Sequence, residues 1–195
     1  MEKYLKEIYL RHKLDTPELR REELNNYMRE LNDQGMDCSA CSGLCCTYAH
    51  NSMLVTPLEA IELYLYLKRK GRIDESLVSR LKLNISEFRL DKEIFIGKGR
   101  EFRRNYTCPF FNEGGLGCSV SPKHKPYGCL GFNSKEKGVN VAGKCGVYDE
   151  AHHAREQKYE IVEKLVNEEI AEHFSLLWSK KNIPAALLEI INLNN

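Results

Sequence analysis

The sequence has one tryptophan, six prolines and almost no net charge, with 29 Lys and Arg against 28 Asp and Glu. The charge balance and the absent apolar runs each exclude something. A balance of +1 gives no whole-chain electrostatic case for nucleic acid or an anionic membrane surface. No apolar run approaches the roughly 20 residues of a bilayer-spanning helix, so no membrane is expected. The opening stretch MEKYLKEIYLRHKLD scatters charges where an export signal needs an unbroken apolar core. A cytoplasmic location is the resulting expectation. There is no internal repeat, no low-complexity tract, no nucleophile elbow and no dinucleotide fingerprint. GKGREF at 97–102 is too short for a phosphate loop and lacks its strand–loop–helix setting.

Cysteine, in contrast, is abundant. There are eight in 195 residues, and CSACSGLCC packs Cys38, Cys41, Cys45 and Cys46 into one short stretch. The other four, Cys108, Cys118, Cys129 and Cys145, stand singly beside turn residues: Cys108-Pro109, Gly117-Cys118, Gly128-Cys129 and Cys145-Gly146. Disulfides are uncommon in a reducing cytosol, and a chain of this length can build a core without them. Small buried hydrophobes would account for one or two cysteines, not for eight in such turns.

The rest of the chain reads as helices around these turns. Tyr4/Ile8 and Leu5/Tyr9 are i,i+4 pairs of a first helix. Thr16-Pro17 opens a second, with Leu24, Met28 and Leu31 as its apolar stripe and Gly35 near its end. In TPLEAIELYLYLKRKG, Thr56 and Glu59 form a capping box, and Leu58, Ile61 and Leu65 share a face. Lys68, Arg69 and Lys70 suit the negative end of that helix, so KRKGR needs no nucleic acid to explain it. Another helix starts near Asp74, striped by Leu77, Leu81, Ile85 and Phe88. A long helix resumes from Ala151 with Val162, Val166, Ile170, Phe174 and Leu177, and Asn182 with Pro184 opens a last short one.

Residues 92–146 lack a helical stripe, and short strands are expected at 102–107 and 139–141. The expected fold is mainly α with a small irregular β-containing cysteine-rich metal-binding core, an α+β arrangement in a single domain, 1–195. Its parts are N-terminal helices at 1–35, a cysteine core at 36–146 with an inserted helical pair at 57–90, and C-terminal helices at 147–195.

Thiolates bind soft and borderline metals, and Cys38/Cys41 and Cys41/Cys45 have spacings that let neighbours converge on one ion or cluster. Adjacent glycines let backbone N–H groups reach sulfur. Residues 92–145 hold ten Lys/Arg and four Asp/Glu, a local excess of cations that offsets thiolate charge. His50 and His124 are possible ligands, but eight cysteines make solvent-facing or hydrogen-bonded roles the better assignment. His152 and His153 open a charged helix and are expected to be exposed, and Trp178 is expected to pack.

CSACSGLCC, VTPLEA at 55–60, CPFF at 108–111, GC at 117–118, KPYGC at 125–129 and the late Cys145 resemble the CxxCxxCC, or YkgJ-type, cysteine-cluster family of zinc- or iron-chelating proteins. The likeness spans about Cys38 to Cys145. Three positions depart from it. Ser121 stands where the family has tyrosine, and Lys125 and Leu130 stand where it has arginine. Lysine cannot make arginine's planar bidentate contact.

The resemblance implies that Cys38, Cys41, Cys45, Cys46, Cys108, Cys118, Cys129 and Cys145 are metal ligands. Zinc would need two tetrahedral Cys₄ sites, whereas an iron–sulfur cluster takes about four cysteines. Adjacent Cys45 and Cys46 suit a multinuclear site better, so an iron–sulfur cluster is preferred and zinc is the alternative. The expected function is a metal-binding protein for redox chemistry or metal handling, with metal ions and an unknown protein as partners. Two alternatives stand beside it. One is a cluster-dependent modification enzyme related to the flagellin lysine N-methylases. The other is a zinc-stapled interaction module.

Overall fold

The computed structural model describes residues 1–36, 43–92, 103–112, 117–137 and 145–194. The chain is mainly helical, with two small antiparallel strand pairs. Helices α1 (Glu2–His12) and α2 (Pro17–Asp33) precede the first cysteine turn, and α3 (Pro57–Arg69) and α4 (Glu75–Glu87) lie between it and the later cysteine turns. Among those turns lies the single-turn helix α5 (Tyr127–Leu130), and α6 (Asp149–His173) and α7 (Ile183–Asn192) follow. Strands β1 (Leu54–Val55) and β4 (Lys181–Asn182) pair, as do β2 (Phe132–Ser134) and β3 (Cys145–Val147).

The helix starts follow their capping side chains. Thr16 accepts from the Leu19 N–H at 3.4 Å and Asp74 from Leu77 at 2.7 Å. Asn182 accepts from Ala185 at 2.9 Å. The Thr56–Glu59 capping box is complete: Glu59 N–H donates to Thr56 Oγ1 at 3.3 Å, and Thr56 N–H donates to Glu59 Oε2 at 3.0 Å. Gly35 lies just past α2 at φ 82°, the left-handed backbone that glycine adopts without a Cβ penalty.

Helix α3 is the hub. It packs against α6 and α7, and every residue from Pro57 to Leu67 is buried. An element buried on all sides must be largely apolar all round, which PLEAIELYLYL nearly is. The main core gathers Leu58, Ile61, Leu63 and Leu67 of α3 with Leu77 and Leu81 of α4. Val166 and Ile170 of α6 and Leu187 and Ile190 of α7 complete it.

Two expected elements are corrected. Residues 103–107 form no strand. Their polar groups go to side chains and to the 51–53 segment instead: Tyr106 N–H donates to Asn51 O at 2.9 Å, Asn51 Nδ2 donates to Tyr106 O at 2.9 Å, and Asn84 Nδ2 donates to Thr107 O at 2.7 Å. With both Tyr106 groups taken by one asparagine, no ladder forms. The expected strand at 139–141 lies outside the described residues. Helix α6 ends at His173, with Ser175 at φ 54°, so Leu177 is 98% exposed rather than on the stripe.

Candidate cysteine centre

Five of the eight cysteines come from four separate turns. Cys45 and Cys46 end the 3₁₀ turn Leu44–Cys46. Cys108 precedes the Pro109-Phe110 turn, Cys118 bridges to Phe111, and Cys129 rides on α5. Backbone hydrogen bonds lock these turns together. Cys108 N–H donates to Cys46 O at 2.6 Å, Cys46 N–H to Gly43 O at 2.8 Å, and Ser119 N–H to Phe110 O at 2.9 Å. Gly43 has φ +76°, and a Cβ there would meet the Phe111 ring at 2.8 Å, so only glycine lets the first turn nest on the second.

The thiols of these turns are coupled. Cys46 lies between Cys45 and Cys118 and hydrogen-bonds both, so it retains its proton strongly. That same Cys46 hydrogen bond lowers Cys118 to about 6, where Lys125, the Val120 N–H at 3.4 Å and Arg72 assist against burial. It also lowers Cys45 to about 7, again with help from Lys125. Burial raises Cys108 to about 12, with the Cys118 and Cys45 thiolates adding to it. Burial likewise drives Cys129 up, reinforced by Cys108 and Cys118. None of Cys45, Cys46, Cys108, Cys118 and Cys129 is in a disulfide.

Cations frame the set. Arg72 donates to Ser119 O and Ser119 Oγ, both at 2.8 Å, and lies 5.7 Å from the Phe110 ring. Lys125 acts on Cys45, Cys108, Cys118 and Cys129 alike. Cys145 opens β3 opposite Ser134, and β2 follows α5 directly, so this strand pair hangs on the segment that carries Cys129. Cys38 and Cys41 lie outside the described residues. Among the described residues, no three His, Cys, Asp or Glu side chains are arranged to hold a metal ion. The donor chemistry is nevertheless that of a thiophilic metal: the Cys45 and Cys118 thiols are acidic, and Lys125 acts on both.

The histidines sort individually. His50 is exposed. His124 stacks on Tyr66 at 4.2 Å and pairs with Glu18 at 3.4 Å. Burial lowers its pKa, and its Nδ1 is buried without a partner. His152 is not exposed as expected. Its ring fills the space where Gly131 lacks a Cβ, which would sit 1.7 Å from Nε2, and that nitrogen is buried without a partner. His152 and His153 line an open cleft of about 600 Å³ with Gly128, Val147, Asp149, Glu150 and Glu156.

Sequence reasoning missed a second polar feature beside the cysteines. Arg20, Arg21, Glu59, Glu62, Arg155 and Glu163 are all buried. Glu62 pairs with Arg20 and, at 2.9 Å, with Arg21. Glu163 pairs with Arg20 at 2.6 Å and with Arg155. The signal available was two carboxylates, Glu59 and Glu62, inside an otherwise apolar helix. A buried carboxylate requires a partner of opposite charge.

These features define a helical protein with a coupled thiol cluster at its irregular centre. No family model, curated protein or solved structure matches the chain.

Proposed function

We propose that the protein binds metal through its cysteines in the cytosol, as an iron–sulfur cluster or as zinc, and serves redox chemistry or metal handling. The observation that carries this is the main-chain hydrogen bond from Cys108 N–H to Cys46 O at 2.6 Å, which holds two cysteine turns distant in sequence against each other, with Cys45 and Cys118 both acidified beside Cys46. Thiols that lose their protons near neutral pH suit a soft cation, because metal binding to cysteine releases protons. The cysteine order shared with the CxxCxxCC family supports the same conclusion, with Cys38, Cys41 and Cys145 completing the ligand set.

Cys45, Cys46, Cys108, Cys118 and Cys129 would hold the group. When bound, it would supply electron transfer if it is iron–sulfur, or a structural link if it is zinc. The protein's own residues do the rest. Lys125 and Arg72 offset thiolate charge, and the Val120 N–H donates to Cys118 sulfur. Burial of Cys108 restricts solvent access to that side, while Cys129 is half-buried.

The test is purification without oxygen followed by metal analysis and absorbance. An iron–sulfur cluster colours the protein brown, and zinc leaves it colourless. A well-folded, metal-free protein in which every thiol is alkylated in the native state would refute the proposal.

A further inference from the structure

Helix α5 has only four residues, too few to hold itself together. It is held instead by charges. Tyr127 donates its backbone N–H to Glu59 Oε1 at 2.9 Å and its hydroxyl to Glu163 Oε1 at 2.9 Å, and that hydroxyl also accepts from Arg20. Arg155 lies 3.3 Å from the centre of the Tyr127 ring and Arg21 lies 4.5 Å from it. Arg21 Nε also donates to Lys125 O at 2.7 Å. Five of the six buried charged side chains thus touch Tyr127, and the sixth, Glu62, reaches it through Arg20 and Arg21.

This arrangement is a poor device for stability alone. Buried ion pairs are often no better than apolar side chains of the same volume, because desolvation consumes the Coulomb gain. What they provide is direction. Tyr127 is fixed at its backbone, over its ring by Arg155 and Arg21, and at its hydroxyl, and Cys129 follows two residues later on the same turn. Glu59 has a particular place in it. Its Oε2 caps α3 at Thr56 and its Oε1 holds α5, so one carboxylate ties the helix after the first cysteine turn to the turn that carries Cys129.

We infer that Glu59 and Tyr127 are positioning residues that set Cys129 against the other thiols, with the buried Arg and Glu side chains as their frame. The inference rests on the cysteine-centre proposal above for its purpose, but its geometry can be tested separately.

The test uses the full chain as purified and three variants: Glu59→Gln, Tyr127→Phe and, as control, Leu81→Ala in the core between α4 and α7. Glutamine offers a single oxygen and cannot serve Thr56 and Tyr127 together, while phenylalanine keeps the ring and loses the hydroxyl. The first readout is the iodoacetamide rate at Cys129 relative to Cys45, followed by peptide mass spectrometry. It should rise by about tenfold or more in Glu59→Gln and in Tyr127→Phe, as a segment freed of one closing hydrogen bond opens more often. Leu81→Ala should leave the ratio unchanged. An unchanged ratio in both α5 variants, or an equal rise in Leu81→Ala, overturns the inference. The second readout is thiolate-to-cobalt charge-transfer absorbance per bound Co²⁺, which should fall in the two α5 variants and not in the control. Equal absorbance in all four proteins also overturns it. If the unaltered chain takes up no cobalt, the metal proposal fails, and the alkylation ratio alone decides the positioning.

Discussion

The Cys108 N–H donates to the Cys46 carbonyl over 2.6 Å, joining the two cysteine-bearing segments by main chain as well as by sulfur. A hydrogen bond between backbone groups does not depend on whether the thiols are protonated or bound to metal. The two segments are therefore joined by a contact that does not use the thiols themselves.

Cys46 controls its neighbours' acidity. Cys118 and Cys45 are lowered to about 6 and about 7 chiefly by hydrogen bonding to Cys46, whose single S–H serves one of them at a time. In metal-stripped protein at pH 7, iodoacetamide should modify Cys118 and Cys45 first and spare Cys108 and Cys129. Cys46→Ala should move the pH midpoint of Cys118 alkylation upward, towards the ordinary thiol value of about 8.5. A midpoint that stays near 6 would show that Lys125 and Arg72, not Cys46, acidify it.

Removing one partner of the buried ion network should be costly. Glu62→Gln leaves Arg20 and Arg21 without their shared carboxylate, and chemical unfolding should show a loss of about 3–5 kcal/mol. Burial alone would raise the Glu62 pKa, but Arg20 and Arg21 outweigh it and hold the group below the usual carboxylate value. A depressed folded pKa gives stability that is present above the unfolded value of about 4.3 and is lost as pH falls through the folded one. The acid side of the stability profile should therefore be flatter in Glu62→Gln than in the parent. Parallel profiles would assign acid sensitivity to other carboxylates.

Tyr106 is a fully buried joint between segments. Its hydroxyl donates to Met53 O at 2.6 Å and accepts from Ile183 N–H at 3.2 Å, linking the residue just before β1 to the start of α7. Tyr106→Phe strands both groups and should cost about 1–3 kcal/mol in thermal or urea unfolding. A change below about 0.5 kcal/mol would mean that water or a shifted backbone replaces the hydroxyl.

Much of the helical frame was legible from single residues. Thr16-Pro17, Thr56 with Glu59, Asp74 and Asn182 each mark a helix start, because a side-chain oxygen there satisfies an amide that the helix leaves open. The centre was legible only as composition. Turn residues beside cysteines hinted at convergence, whereas the partners of Cys46 depend on how Gly43 nests against Phe111. The ion network escaped because charged positions are ordinarily assigned to the surface. On α6 the inward face runs Ala151, Arg155, Tyr159, Glu163, Val166 and Ile170, and an apolar-only stripe sees only part of it. The 103–107 segment escaped for a related reason, since asparagine side chains took the place of a partner strand.

Metal removal should loosen the centre before the frame. The described residues of 103–131 contain one four-residue α-helix and one 3₁₀ turn, and many of their backbone groups bond to turns and side chains. Metal–thiolate bonds at such a site contribute folding energy directly. Chelation should raise amide exchange in the described stretches 103–112 and 117–131, while Val166 and Ile170, buried in α6, stay protected. Equal exchange with and without chelator in the centre would mean that metal is not structural there.

The most direct test of the central claim is the metal content of the full chain purified anaerobically, measured together with native thiol alkylation. Stoichiometric iron or zinc is expected, with Cys45, Cys46, Cys108, Cys118 and Cys129 protected from alkylation until a chelator is added. A folded, metal-free protein that takes up neither iron with sulfide nor zinc, and whose thiols react equally with and without chelator, would contradict it.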